Sequence, residues 1–230
     1  MKLVRFVGVL ALLVIIVAIA MVIVSMQFGP APQEPLPGRF KGRVLAMEFV
    51  ANPVDIEGIL KPDVSHNRDV MRNIILLDFL WIACYGLLFV AIGLLLRKRN
   101  CPWARYLGTV AIVAGLAAAA FDVRENLAIL KALNCLQCDQ QLVNEINDAA
   151  LLKWTMSFVA MALLAIAFQD IDNRWAHWIG ISFIVTALVG FVGLWRYQLL
   201  GLIPIPLLIG LILLAIVATI WPRRLTENIS

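Results

Sequence analysis

Charge is what this sequence has least of. Its 19 Lys and Arg and 15 Asp and Glu make up 15% of 230 residues, where a soluble domain carries about 25%. Together with 62% hydrophobic residues, that deficit excludes a disordered chain and an ordinary soluble enzyme. Histidine is nearly absent. His66 and His177 are the two present, and neither has a partner at metal-ligand spacing, which argues against a transition-metal site. Four cysteines are too few and too scattered for a disulfide framework. Also missing are H-E-x-x-H, G-x-S-x-G, a P-loop and a dinucleotide fingerprint, and any internal repeat of the kind that builds many transporters. An enzyme is left unsupported, though not excluded, and no cofactor is named.

What remains is apolar and arranged in blocks. Six stretches, 6 to 33, 79 to 96, 106 to 121, 154 to 169, 175 to 195 and 197 to 222, hold 125 residues without a single Asp, Glu, Lys or Arg. Runs of this length and number suit a lipid bilayer. The sequence therefore predicts an all-α polytopic transmembrane bundle of about six spans, with short amphipathic helices in an outer cap. Three parts follow: residues 1 to 27 as an N-terminal anchor, 28 to 72 as an extracytoplasmic cap, and 73 to 230 as a five-span bundle. The first run is long for the 7 to 15 residue core of a signal peptide and no A-x-A site follows it. An uncleaved anchor is the reading, a cleaved signal the alternative.

The cap segment is rich in Pro, Gly and charge, with six basic and six acidic residues. Val44 to Val50 reads as a short surface helix. Asn52-Pro53 with Asp55 supplies an N-cap, a Pro at N1 and an acidic first turn for another over roughly 53 to 61. The second span, about 73 to 96, stops at Arg97-Lys98-Arg99, the densest basic cluster, which marks a cytoplasmic end. The third runs from about 103 to 121 and continues as a more polar helix to about 130, ahead of an acidic loop over 132 to 148. The fourth covers about 150 to 169, the fifth 176 to 196, and the sixth 203 to 221, ending at Arg223-Arg224. Both termini then face the cytoplasm. Trp103, Trp175, Trp178 and Trp221 fall at inner ends and Trp154 and Trp195 at outer ends, as interfacial belts require. The net charge of +4 comes from residues at the ends of apolar runs, not from a continuous stripe, so topology explains it better than nucleic acid.

Ionisable residues inside spans cost about 2.5 to 3.5 kcal/mol each at the bilayer centre on insertion scales, so each needs an explanation. Asp78 lies 19 residues from Arg97, Asp122 19 from Trp103, and Lys153 17 from Asp170. At about 1.5 Å per residue all three sit some 26 to 29 Å above the inner boundary, in one layer near the outer edge of the hydrocarbon. Asp122, Glu125 and Asn126 follow i, i+3, i+4 spacing and share a helix face. Below them on that face, Gly108, Ala111, Gly115, Ala118 and Ala119 form a small-residue stripe that admits a close neighbour. Asp78 and Tyr85, seven residues apart, are nearly aligned on the second span. If these faces pack, Asp78 and Tyr85 meet Asp122, Glu125 and Asn126, with Glu48 closing the layer from the cap. Arg124 points away and snorkels.

Three carboxylates beside Lys153 leave surplus negative charge. A bound proton, small cation or cationic lipid head group is therefore expected. Divalent metal is compatible with oxygen ligands, although the layer holds no His. The plainer reading weighs as much: residues at this depth can reach interfacial water, and Asp122 with Lys153 would only pin two helices.

Three elements, Met47-Glu48-Phe49, Leu77 to Gly86 (the LDFL…YG span) and Asp122 to Asn126 (D-x-x-EN), resemble a group of bacterial multispanning membrane proteins with an N-terminal anchor. The resemblance covers residues 1 to about 160. It implies this architecture in the bacterial inner membrane and, since the group has no assigned activity, nothing of chemistry.

Cys135-Leu136-Gln137-Cys138 would face outward, where a disulfide is permitted. A membrane thiol oxidoreductase using Cys135 and Cys138 is one alternative. It departs from quinone-coupled thiol oxidases in lacking a second outer pair, because Cys84 falls within a span and Cys101 on the cytoplasmic side. A loop-closing disulfide or free thiols is the favoured reading of the motif. The other alternative is a structural subunit of a membrane complex, with a protein partner in the bilayer.

Overall fold

A computed structural model describes residues 1–30, 36, 40, 42–99, 101–135, 138–169, 171 and 173–225. Among them there are eight α-helices and no strand: α1 (Lys2–Ser25), α2 (Arg43–Glu48), α3 (Pro53–Leu60), α4 (Val64–Arg97), α5 (Pro102–Asn134), α6 (Gln140–Gln169), α7 (Arg174–Trp195) and α8 (Pro204–Ile220). Short 3-10 turns follow α7 and α8. Six helices are long and apolar enough to cross a membrane: α1, α4, α5, α6, α7 and the segment Leu199–Ile220. The protein is a multi-pass integral membrane protein. Asp170, which marked the end of the fourth span, lies outside the described residues, as do Leu136 and Gln137.

Local chemistry sets where the helices start. The Asp55 carboxylate accepts from the Asn52 backbone N–H at 3.0 Å, ahead of Pro53 at N1 of α3. Asp63 caps α4 by accepting from the His66 backbone N–H at 3.1 Å, and Asn173 caps α7 through the Trp175 N–H at 2.9 Å. The His66 N–H and the Ser65 hydroxyl hold the exposed Asp63 carboxyl below its ordinary pKa. Its contribution is therefore present above the unfolded-state value and is lost as pH falls through the folded one. Pro102 and Pro204 begin α5 and α8, where a missing N–H costs nothing.

Three helices exceed their expected lengths. At 34, 33 and 30 residues, α4, α5 and α6 reach about 45 to 50 Å, well beyond a hydrocarbon core of about 30 Å. The excess lies at the cap end. Helix α4 begins nine residues before position 73, and most of the supposed acidic loop 132 to 148 is helix, with the true connection confined to 135 to 139. These polar turns are helical because they still have inward faces: Asn67, Val70 and Met71 on α4, Leu133 on α5, and Val143 and Ile146 on α6 are all buried.

The six long helices form a closed ring in the order α1, α4, α5, α6, α7, α8 and back to α1, with each packed on the next. Helix α1 is thus a full member of the bundle, burying Val4, Val7, Ala11 and Val14 along one face. Helices α4 and α5 approach closely. A Cβ added at Gly93 would meet the Gly108 carbonyl oxygen at 2.6 Å, and one at Gly115 would meet the Phe89 ring at 2.6 Å. The small-residue stripe on α5 is what allows this approach.

Helices α2 and α3 cover the end of the ring opposite the Arg97-Lys98-Arg99 cluster. Buried Arg43 holds them there: its guanidinium donates to the carbonyls of Gly29, Pro30 and Lys61 at 3.1, 2.6 and 2.9 Å, and to Asn67 Oδ1 at 3.2 Å. One side chain therefore ties the end of α1, the end of α3 and the start of α4. Phe40, Phe49 and Tyr197 stack with centroids 4.7 to 5.7 Å apart, joining the cap to the α7–α8 connection. Gln140 donates to the Ala51 carbonyl at 3.0 Å, fixing α6 to the cap.

Replacing Gly93 by Val inserts three carbons where the α5 backbone now lies, and overpacking of this kind costs about 1 to 3 kcal/mol. A lowered thermal-unfolding midpoint in neutral detergent is expected for Gly93→Val, with little change for Gly58→Val, where an added Cβ meets nothing within 4 Å.

Candidate functional site

The polar layer lies where α4, α5 and α6 pass beneath α2. Asp78 and Tyr85 come from α4, Asp122, Glu125 and Asn126 from α5, Lys153 from α6, and Glu48 from the last turn of α2. All seven candidate residues meet. None is more than 8% exposed, and Glu125 is fully buried, which removes the option that they simply reach interfacial water.

Lys153 is the centre. Its ammonium lies 2.7 Å from Glu125 Oε2, 3.1 Å from Asp122 Oδ1 and 3.3 Å from Glu48 Oε1. The contact with Asp122 is a hydrogen bond, and those with Glu125 and Glu48 are ion pairs. The second oxygen of two of these acids is also held. Asp122 Oδ2 accepts from the Tyr85 hydroxyl at 2.9 Å, and Glu48 Oε2 from the Trp154 indole N–H at 2.8 Å.

The other two acids are incompletely satisfied. Asp78 Oδ2 accepts from Asn126 Nδ2 at 2.7 Å, but no cation lies within ion-pair distance of Asp78 among the described residues, and no hydrogen bond reaches its second oxygen. Glu125 Oε1 is buried with no hydrogen-bond partner. Four carboxylates therefore share one lysine. Arg124, the nearby cation in sequence, points outward and pairs with Glu145 at 3.5 Å.

Two cavities flank this row. The smaller, of about 40 Å³, is lined by Glu48, Asp78, Glu125 and Asn126 with apolar side chains of α1, α2, α4 and α5. Both under-satisfied acids border it, and its volume is enough for a water or a small cation. The larger, of about 300 Å³, lies inside the ring. Glu48, Asp78, Asp122 and Lys153 border one end, and side chains of α1, α4, α6, α7 and α8 line the rest. Asp78 and Glu48 border both.

Sequence reasoning missed two contributors. Trp154 was placed in the interfacial belt, yet it anchors Glu48; its position directly after Lys153 was the available signal. Trp81 borders the large cavity with its indole N–H buried and unpartnered, and as the one tryptophan inside a span it was visible in the sequence. The alternative redox pair is elsewhere. Cys135 and Cys138 form a disulfide beyond the end of α5, about 20 Å along that helix from Asp122. Cys84 is buried in α4, and Cys101 precedes α5 at the opposite end of the bundle. No group of His, Cys, Asp and Glu among the described residues is arranged to hold a metal ion.

No family model, curated protein or solved structure matches this chain.

Removing the central cation should cost more than removing any one acid. Breaking a buried ion pair by deleting one partner costs about 3 to 5 kcal/mol, and Lys153→Met strands three carboxylates at once. A large drop in unfolding midpoint is expected, partly recovered when Asp122→Asn and Glu125→Gln are added. An unchanged midpoint for Lys153→Met would mean that Lys153 does not hold the layer together.

Proposed function

We propose that this layer binds a small cation, a proton or a cationic lipid head group, and that the protein acts in the bacterial inner membrane as a non-catalytic accessory or transport-related unit. One observation carries the reading: buried Glu125 has carboxylate oxygens without a hydrogen-bond partner and lines a small cavity together with Asp78, an acid with no cation within ion-pair distance among the described residues. A carboxylate left so in a water-poor interior is costly unless a positive group or proton joins it.

The orientation that fits places the Arg97-Lys98-Arg99 end in the cytoplasm and the cap outside, with both termini cytoplasmic and the layer in the outer leaflet. The Cys135–Cys138 disulfide agrees with an oxidising exterior. An impermeant maleimide added to intact cells is expected to label these cysteines only after reduction; labelling confined to lysed cells would reverse the topology. A thiol oxidoreductase is disfavoured by the absence of a second thiol pair on the cap side among the described residues.

Ligands that bind only the folded protein raise its stability in proportion to RT ln(1 + [L]/Kd). Sodium, potassium, magnesium, tetramethylammonium or lowered pH, tested singly on the purified protein, should raise the unfolding midpoint for at least one of them. Asp78→Asn and Glu125→Gln should abolish that response while membrane insertion stays intact. If every ligand leaves wild type and both variants indistinguishable, the layer is a packing device and the partner-subunit reading takes its place.

A further inference from the structure

The larger cavity has a definite shape. Along α4 it is bordered from Asp78 to Ile92, and along α6 from Lys153 to Leu164. At about 1.5 Å per residue these stretches span about 21 and 16 Å. About 300 Å³ spread over that length makes the cavity an elongated slot, not a round chamber. The slot runs along the helices, polar only at its cap end. Below the layer its walls are Leu88, Ile92, Met161, Leu164, Phe183 and Leu211. Val22 of α1, which is 53% exposed, lines it near its polar end.

The polar end has the chemistry of an ammonium receptor. Asp78, Asp122 and Glu48 border it, and the one lysine is paired with Glu48, Asp122 and Glu125. Asp78 has no cation of its own among the described residues. Trp81, Tyr85 and Trp154 line the same end, with Phe89 further down the slot, and Trp81 and Tyr85 meet edge to face at 4.8 Å. Aromatic faces beside carboxylates attract ammonium groups. A phosphate at this level would confront three carboxylates, so phospholipid head groups are disfavoured. The unpartnered Trp81 indole N–H is a free donor for a neutral oxygen near the head.

We infer that the slot binds a single-chain amphiphile whose ammonium head pairs with Asp78 under the aromatic rings and whose hydrocarbon tail runs down the centre of the helix ring. This rests on the binding role proposed for the layer and adds the tail. Specificity resides in the head, because membrane lipids already offer tails of equal polarity.

The test uses the full protein in nanodiscs of neutral zwitterionic lipid, with a brominated dodecyltrimethylammonium as probe and quenching of tryptophan fluorescence as readout. Saturable quenching is expected, competed by unlabelled dodecyltrimethylammonium at least tenfold better than by dodecanol. Asp78→Asn should weaken binding tenfold or more. Ser157→Phe, which fills the slot wall one turn below Lys153, should do the same with the carboxylates intact, so misfolding of one variant does not decide the outcome. Equal competition by dodecanol, or full binding in folded Ser157→Phe, overturns the inference. If tetramethylammonium competes as well as the twelve-carbon probe, the tail assignment fails while the cation-binding role stands. Quenching that never saturates overturns the slot as a binding site.

Discussion

The structure depends on one lysine ammonium held among carboxylates where water is scarce. Lys153 joins α6 to Asp122 and Glu125 of α5 and to Glu48 of the cap, so the same cation fixes two spans and the helix above them. Its own burial is tolerable only because three carboxylates surround it, and those acids are tolerable only because they share it. Tyr85 and Trp154 extend the arrangement by donating to the acid oxygens that the lysine does not reach. A network this deep is stable when complete and costly when partly satisfied, which is why the free oxygens of Asp78 and Glu125 carry more meaning than the bonds that are made.

The packing around the layer is uneven, and that unevenness produces the cavity. Helices α4 and α5 meet closely through Gly93, Gly108 and Gly115. Elsewhere in the ring, α1 and α8 take most of their residues from Val, Ile and Leu. They meet closely at Gly8 against Thr219, while Val14, Ala18, Leu207 and Leu211 border open space. A close joint in one part and a loose interior in another leave a long void where a uniformly packed bundle would have filled the centre.

The layer was legible because ionisable residues in apolar runs are few, helical rise is constant, and i, i+3, i+4 spacing fixes which of them share a face. Counting inward from basic and tryptophan-bearing ends was enough to set Asp78, Asp122 and Lys153 at one height. The ring was not legible. From Phe6 to Val24 every position of α1 is apolar, so hydropathy cannot separate Val7, which is buried, from Leu12, which faces outward; lipid and protein interior favour the same residues. The cap-side extensions of α4 and α6 were hidden for the opposite reason. Their charged turns read as loop, although Asn67 and Val143 mark an inward face. The slot is a void between side chains of five helices and depends on how each is rotated, which no single stretch of sequence records.

An empty slot of this size would be hard to sustain. At about 24 cal/mol per Å³ of residual cavity, about 300 Å³ would cost about 7 kcal/mol, comparable to the whole stability of many domains. The tail region is walled by Leu, Ile, Met and Phe side chains, so any hydrocarbon chain suits it, and filling alone discriminates nothing. What distinguishes one entering chain from another is the group that it brings to Asp78. A neutral head leaves that carboxylate unpaired, an anionic one adds repulsion, and a cationic one supplies the charge that Lys153 does not share a fourth time. Selectivity and the electrostatic deficit of the layer are therefore the same physical quantity.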